Sequence, residues 1–149
     1  MILTPLNLGI LEPSNPDILI KEVMRMSDEK DVCCSGGVTT LVLACSGGSN
    51  VGQVSNRVMV ELDKSGVGNA YCLAGVGAAL SGFIESAKAA QTIVIDGCPV
   101  GCGKKAFEKY GLEPSQYFII TELGITKTHN FDSVDGETRE ALNKITSNI

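Results

Sequence analysis

The sequence predicts a three-layer α/β sandwich built on a four-stranded parallel sheet with strand order 2-1-3-4. Three observations lead there. From Val38 onward, short β-branched apolar runs alternate with longer amphipathic segments, the pattern of consecutive βαβ units. Right-handed crossovers put such strands in one parallel sheet, and a single reversal of winding lets helices cover both faces. The chain also has the means to fill that core: 149 residues, 44% hydrophobic and 19% charged, suit one folded domain.

VTTLVLA (38–44) is too short for a helix and rich in β-branched residues, so it is the first strand. Ser49 or Asn50 then caps a helix in which Val51, Val54, Val58 and Leu62 share one face, and Gly66 ends it. NAYCLA (69–74) is the second strand. Residues 77–90 form a small-residue helix with Leu80, Phe83, Ile84 and Ala87 inward. Gly82 within it costs about 1 kcal/mol relative to Ala, which tight packing on the sheet would justify. QTIVID (91–96) is the third strand. A helix then starts at Cys98 with Pro99 in its first turn and closes at Gly111. YFIIT (117–121) is the fourth strand, and an amphipathic helix from Asp135 to about Ser147 turns Thr138, Leu142 and Ile145 inward.

The first 37 residues differ in character and are expected to be an extension ahead of a domain spanning 38–149. Pro5, Pro13 and Pro16 punctuate its start; Pro16 opens a short helical pattern, DILIKEVMRM; SDEKD and the glycine-rich CCSGG read as a polar linker. Met26-Ser-Asp-Glu-Lys resembles an ordinary protein start, which makes residues 1–25 a candidate appendage.

Charge and composition exclude several function classes. Twelve basic and 17 acidic residues leave a net charge of −5, and only 5% of residues are aromatic, so neither nucleic acid nor an anionic membrane surface is an expected partner. No apolar stretch approaches the roughly 18 residues of a membrane helix, and the N-terminus lacks the basic region of a secretory signal. The expectation is a cytoplasmic protein in a reducing compartment, where clustered cysteines serve metal or redox chemistry.

The chemistry lies in the cysteines. Cys45 ends strand 1, Cys72 lies at the end of strand 2, Cys98 follows strand 3, and Cys102 sits one helical turn beyond it. The carboxyl ends of parallel strands share one edge, so the fold gathers four thiols that the chain keeps apart. Strands lie about 4.8 Å apart, which puts thiols on strands 2 and 3 about 10 Å from each other across strand 1. A Zn–S bond is about 2.3 Å, so at least one cysteine-bearing loop must curl inward, and the flanking glycines permit such turns. A helix N-terminus at Cys98–Cys102, followed by Lys104 and Lys105, would offset thiolate charge. Asp96 is expected to hold the Gly97–Cys98 turn from behind the site.

Other readings carry less. ACSGGSNVG has the form of an anion cradle, but Val51 stands where a cysteine phosphatase needs arginine and no Walker-type lysine follows. His129, in a polar loop near Lys127, reads as a surface histidine, with a ligand or base role the lesser reading. Cys33 and Cys34 are either an accessory metal or redox pair or a flexible, inert part of the linker.

At DGCPVGC (96–102) the sequence becomes specific. Together with ACSGGSNVGQVSNR, YCLAGVGAALSG, the remainder of VIDGCPVGCGKKAFEKYG, and TELGITK, it resembles the DGC-domain proteins, small bacterial and archaeal proteins named for an Asp-Gly-Cys motif. The resemblance implies that Cys45, Cys72, Cys98 and Cys102 are the family's four shared cysteines, proposed there as zinc ligands. KDVCCSGG resembles the family's Cys/Gly-rich leader. No settled activity comes with the family. Three functions stay open: non-enzymatic zinc binding or transfer, a thiol–disulfide protein using Cys98 with Cys102 or Cys45, and an iron–sulfur carrier. A closed four-thiolate zinc site has no place for water, so hydrolysis is not expected. A protein partner, an oligomeric state and a substrate are not legible.

Overall fold

The structure, a computed structural model, describes residues 39–149. The predicted helix at 17–26, the Cys33–Cys34 linker and the 37/38 boundary lie outside the described residues.

Strand β1 (Thr40–Ala44) and strand β3 (Gln91–Asp96) form the centre of an all-parallel sheet, flanked by β2 (Asn69–Tyr71) and β4 (Gln116–Ile119), in the order β2-β1-β3-β4. This is the predicted topology. The two central strands are buried on both faces, which is why they read as continuous apolar runs. Period-2 alternation splits them. Val42, Ala44, Ile93 and Ile95 face helix α1 (Asn50–Lys64) and the C-terminal helix α5 (Val134–Thr146). Leu41, Leu43 and Val94 face the second apolar layer, with Val76, Ile84, Ala87 and Phe107 from α2 (Leu73–Gly77), α3 (Ser81–Ala89) and α4 (Cys102–Glu108). The sheet therefore lies between two helical layers.

The amphipathic faces of α1 and α5 are as the periodicity requires. Val51, Val54, Val58 and Leu62 are fully buried, as are Ala141 and Ile145, with Thr138 buried beside them and Leu142 half-buried.

Four elements differ from expectation. The second strand, predicted over 69–74, stops at Tyr71, because the chain winds into α2 from Leu73. The helix predicted over 77–90 starts later, as α3 at Ser81: α2 ends at Gly77, and a break at Ala78–Leu80, where Ala79 takes φ +64, separates the two. The break turns Leu80 outward, 51% exposed, while Ile84 and Ala87 stay inside. Gly82 faces open space and is not a close-packing glycine. The fourth strand is shorter than predicted, because Ile120–Leu123 winds into a 3-10 turn. Finally, no helix starts at Cys98. Cys98-Pro99-Val100-Gly101 is a β-turn closed by Gly101 N–H donating to the Cys98 carbonyl at 3.1 Å, with proline at the position that favours it. Gly101 adopts φ +65, a left-handed conformation that interrupts helical geometry, so α4 begins only at Cys102. Among the described residues, no helix is long and apolar enough to cross a membrane.

Candidate functional site

The carboxyl edge of the sheet is set up by the ends of β1 and β3. Cys45 extends the ladder: its N–H donates to the Ile95 carbonyl at 2.9 Å, and its own carbonyl accepts from the Ser55 hydroxyl of α1. The residue is thus held by its backbone on both sides. Beyond it the chain turns through Gly47 and Gly48, with the Gly47 carbonyl accepting from Gln53 Nε2 at 2.9 Å.

Two glycines let these segments close on one another. A Cβ on Gly52 would lie 2.7 Å from the backbone N and O of Gly47, and one on Gly97 would lie 2.9 Å from the backbone N of Gly52. Real Cβ atoms do not approach backbone so closely, so the β1–α1 loop, the start of α1 and the end of β3 interlock only without side chains at these two places.

Asp96, fully buried at the end of β3, fixes the other wall. Its carboxylate accepts from the backbone N–H of Gly103 at 2.8 Å and of Lys104 at 3.0 Å, and from the Tyr117 hydroxyl at 3.0 Å. The expectation placed it on Gly97 and Cys98. Instead it grips the first turn of α4, and so holds the Cys98–Cys102 turn from its far end. The cause is the left-handed Gly101, which moves the free N–H groups of the helix start from Cys98 to Gly103 and Lys104. Burial first, and then the charge and hydrogen bond of Asp96, push the Tyr117 hydroxyl well above the ordinary phenol range.

Between these walls lies a cleft of about 270 Å³ into which Cys45, Cys98 and Cys102 open. All four described cysteines are free thiols. Burial raises the Cys45 thiol above its ordinary value; the backbone N–H groups of Gly97 and Gly47 bond to its sulfur and oppose that shift, while the nearby Cys102 and Asp96 add to it. Cys98 packs against the apolar core beneath α1.

Cys72 is not in this cleft. Tyr71 pairs with Leu43, so continuing the register sets Cys72 level with Ala44, one place short of Cys45. Alternation along the strand then sends it to the opposite side from Cys45, and it opens into a separate hollow with Ala44, Ser46, Asn56 and Met59. As placed, no three of the described His, Cys, Asp and Glu side chains stand close enough together to hold an ion.

Sequence reasoning missed the rim. Lys127 and His129 also line the cleft, and Lys127 Nζ lies 3.4 Å from Cys98 Sγ. The positive charge beside the thiols is thus Lys127, not Lys104 and Lys105: Lys104 lies over the Tyr117 ring, 5.5 Å from its centroid, and both line a neighbouring hollow. Asn50 holds this segment in place. Its backbone N–H donates to the Thr128 carbonyl, its Oδ1 accepts from Thr128 N–H, and its Nδ2 donates to the Thr126 carbonyl at 2.9 Å and to the Glu137 carboxylate of α5. Asn50 is fully buried. The only signal for this in the sequence was a polar residue at the head of an apolar helix, which reads equally well as a cap.

A larger hollow of about 460 Å³ runs between α1 and α5, but Arg57 and Asp135 pair across it and it lies away from the thiols. In the thiol cleft, three thiols, one imidazole and an ammonium surround glycine backbone. That donor set, sulfur with one nitrogen, is one that zinc takes.

Comparison with known proteins agrees with the motif. The family model described as the DGC domain matches residues 41–145. The chain is 33% identical over 93 residues to the anaerobic and virulence modulator AnvM of Pseudomonas aeruginosa, covering 62% of this chain and 71% of that protein. No solved structure matches the chain. This chain belongs to the DGC-domain family.

Proposed function

We propose that this protein binds zinc at the carboxyl edge of its sheet through the thiolates of Cys45, Cys98 and Cys102, and that it holds or passes on the metal without catalysing a reaction; Cys72, the fourth ligand expected from the sequence, opens into a separate hollow. The observation that carries this reading is the convergence of three thiols from two strand ends on one glycine-walled cleft. As the side chains stand, no three of the described donors hold an ion, so binding requires these side chains to move. Bound zinc would supply a closed, redox-inert anchor with no position for water.

A thiol–disulfide role has one observation in its favour, that Cys98 and Cys102 flank a single turn. In the wider sense this is a metal-binding or redox-related protein, and the name of its relative, a modulator, fits a regulatory use of such a site.

The test is metal analysis with thiol titration on the full chain, produced with zinc available. The expected result is about one equivalent of zinc and its loss in Cys98→Ser. Metal well below one equivalent, together with a reversible disulfide, would replace the zinc reading with the redox one.

A further inference from the structure

We infer that His129 takes the fourth coordination place at this site and that Cys72 does not. The inference rests on the metal reading above and assigns the ligand set within it.

His129 is the chain's single histidine. It lines the same cleft as Cys45, Cys98 and Cys102, while Cys72 opens into a different hollow on the other side of its strand. Its segment is fastened over the cleft and does not merely pass by. Asn50 binds Thr128 on both its N–H and its carbonyl, and Thr126 on its carbonyl. With Thr128 turned to Asn50, the residues on either side of it both reach the cleft. Lys127 shows how near the segment comes, with its ammonium at 3.4 Å from Cys98 Sγ.

Charge favours the same set. Zinc with four thiolates carries −2, and one nearby lysine reduces that only to −1. Zinc with three thiolates and a neutral imidazole carries −1, which Lys127 brings to zero. Three cysteines and one histidine is also a common composition for a closed structural zinc site.

The test compares the full-length wild type with His129→Ala, His129→Cys and Cys72→Ser, using zinc affinity by competition with a chromophoric chelator and the optical spectrum of the cobalt(II)-loaded protein. His129→Ala is expected to lose at least about 100-fold in affinity, the upper end of what removing even an indirect supporting group costs, and to shift the cobalt ligand-field bands. Cys72→Ser should match wild type within about twofold with an unchanged spectrum. His129→Cys should restore binding and raise the thiolate-to-cobalt charge-transfer intensity by about one third, from three sulfurs to four. If His129→Ala keeps wild-type affinity and spectrum while Cys72→Ser loses charge-transfer intensity, the ligand is Cys72 and this inference falls with the metal reading intact. A wild type that takes up neither zinc nor cobalt removes both.

Discussion

Asp96→Asn isolates the group that holds the Cys98–Cys102 turn, and the structure sets its cost. The carboxylate accepts three hydrogen bonds in a fully buried place, from two backbone N–H groups and one phenol. An amide of the same shape has one accepting oxygen and a donating NH₂. The Tyr117 hydroxyl can turn and accept from that NH₂, but a backbone N–H cannot. Either Gly103 or Lys104 is then left facing a donor. Losing one charge-assisted bond and burying the orphaned N–H amounts to about 2–3 kcal/mol, a large part of the 5–15 kcal/mol by which domains of this kind are stable. Urea unfolding followed by circular dichroism reads this as a drop in midpoint at constant slope. Tyr117→Phe, which leaves both backbone bonds in place, should cost only about 1 kcal/mol. The two changes should combine to less or more than their sum, because they share a partner. A loss below about 0.5 kcal/mol for Asp96→Asn would refute the claim that this carboxylate organises the turn.

Other perturbations have equally definite outcomes. Tyr117 keeps its proton past the pH near 10 at which a free phenol ionises. Because its folded value is raised, its contribution to stability is complete below that pH and is lost as the pH rises through the folded value, so alkaline unfolding curves of wild type and Tyr117→Phe should converge there. Gly97→Ala sets a methyl 2.9 Å from backbone that cannot swing aside, so it should cost about 1–3 kcal/mol in urea unfolding and weaken zinc uptake, whereas Gly82→Ala, facing open space, should stabilise by up to about 1 kcal/mol. Ala79→Gly relieves a left-handed φ of +64 and should raise stability by about 0.5–1 kcal/mol, measurable as a higher thermal midpoint.

The parts of this fold written in short-range pattern were legible. Four apolar runs and two long amphipathic faces are enough to call the parallel sheet, its order and the helices α1 and α5, because each depends only on period and on the handedness of crossovers. What hid were the places where one residue's backbone decides. Nothing in Gly77-Ala-Ala-Leu80 says which residue turns left-handed, yet Ala79 does, and Leu80 is exposed as a result. Pro99 reads as a helix start, and only the conformation of Gly101 makes it a turn instead. That Cys45, Cys98 and Cys102 share one cleft follows from two strand ends and the short motif after the second. Cys72 could not be placed that way, because its register, level with Ala44 and not with Cys45, turns its side chain to the other face of the sheet. His129 was out of reach for a further reason: its position depends on Asn50, a partner most of the domain away in sequence, and long-range polar contacts leave no periodicity to read.

That single buried amide has a mechanical consequence. Asn50 is fastened at once to the strip of chain that carries Lys127 and His129 and to Glu137 in the first turn of the last helix. The lip of the cleft and the terminal helix therefore share one hinge pin, and neither can lift without tugging the other. An ion that clamps the lip would stiffen the whole α1–α5 flank, which gives an event among the thiols a way to be felt on a surface that no thiol touches.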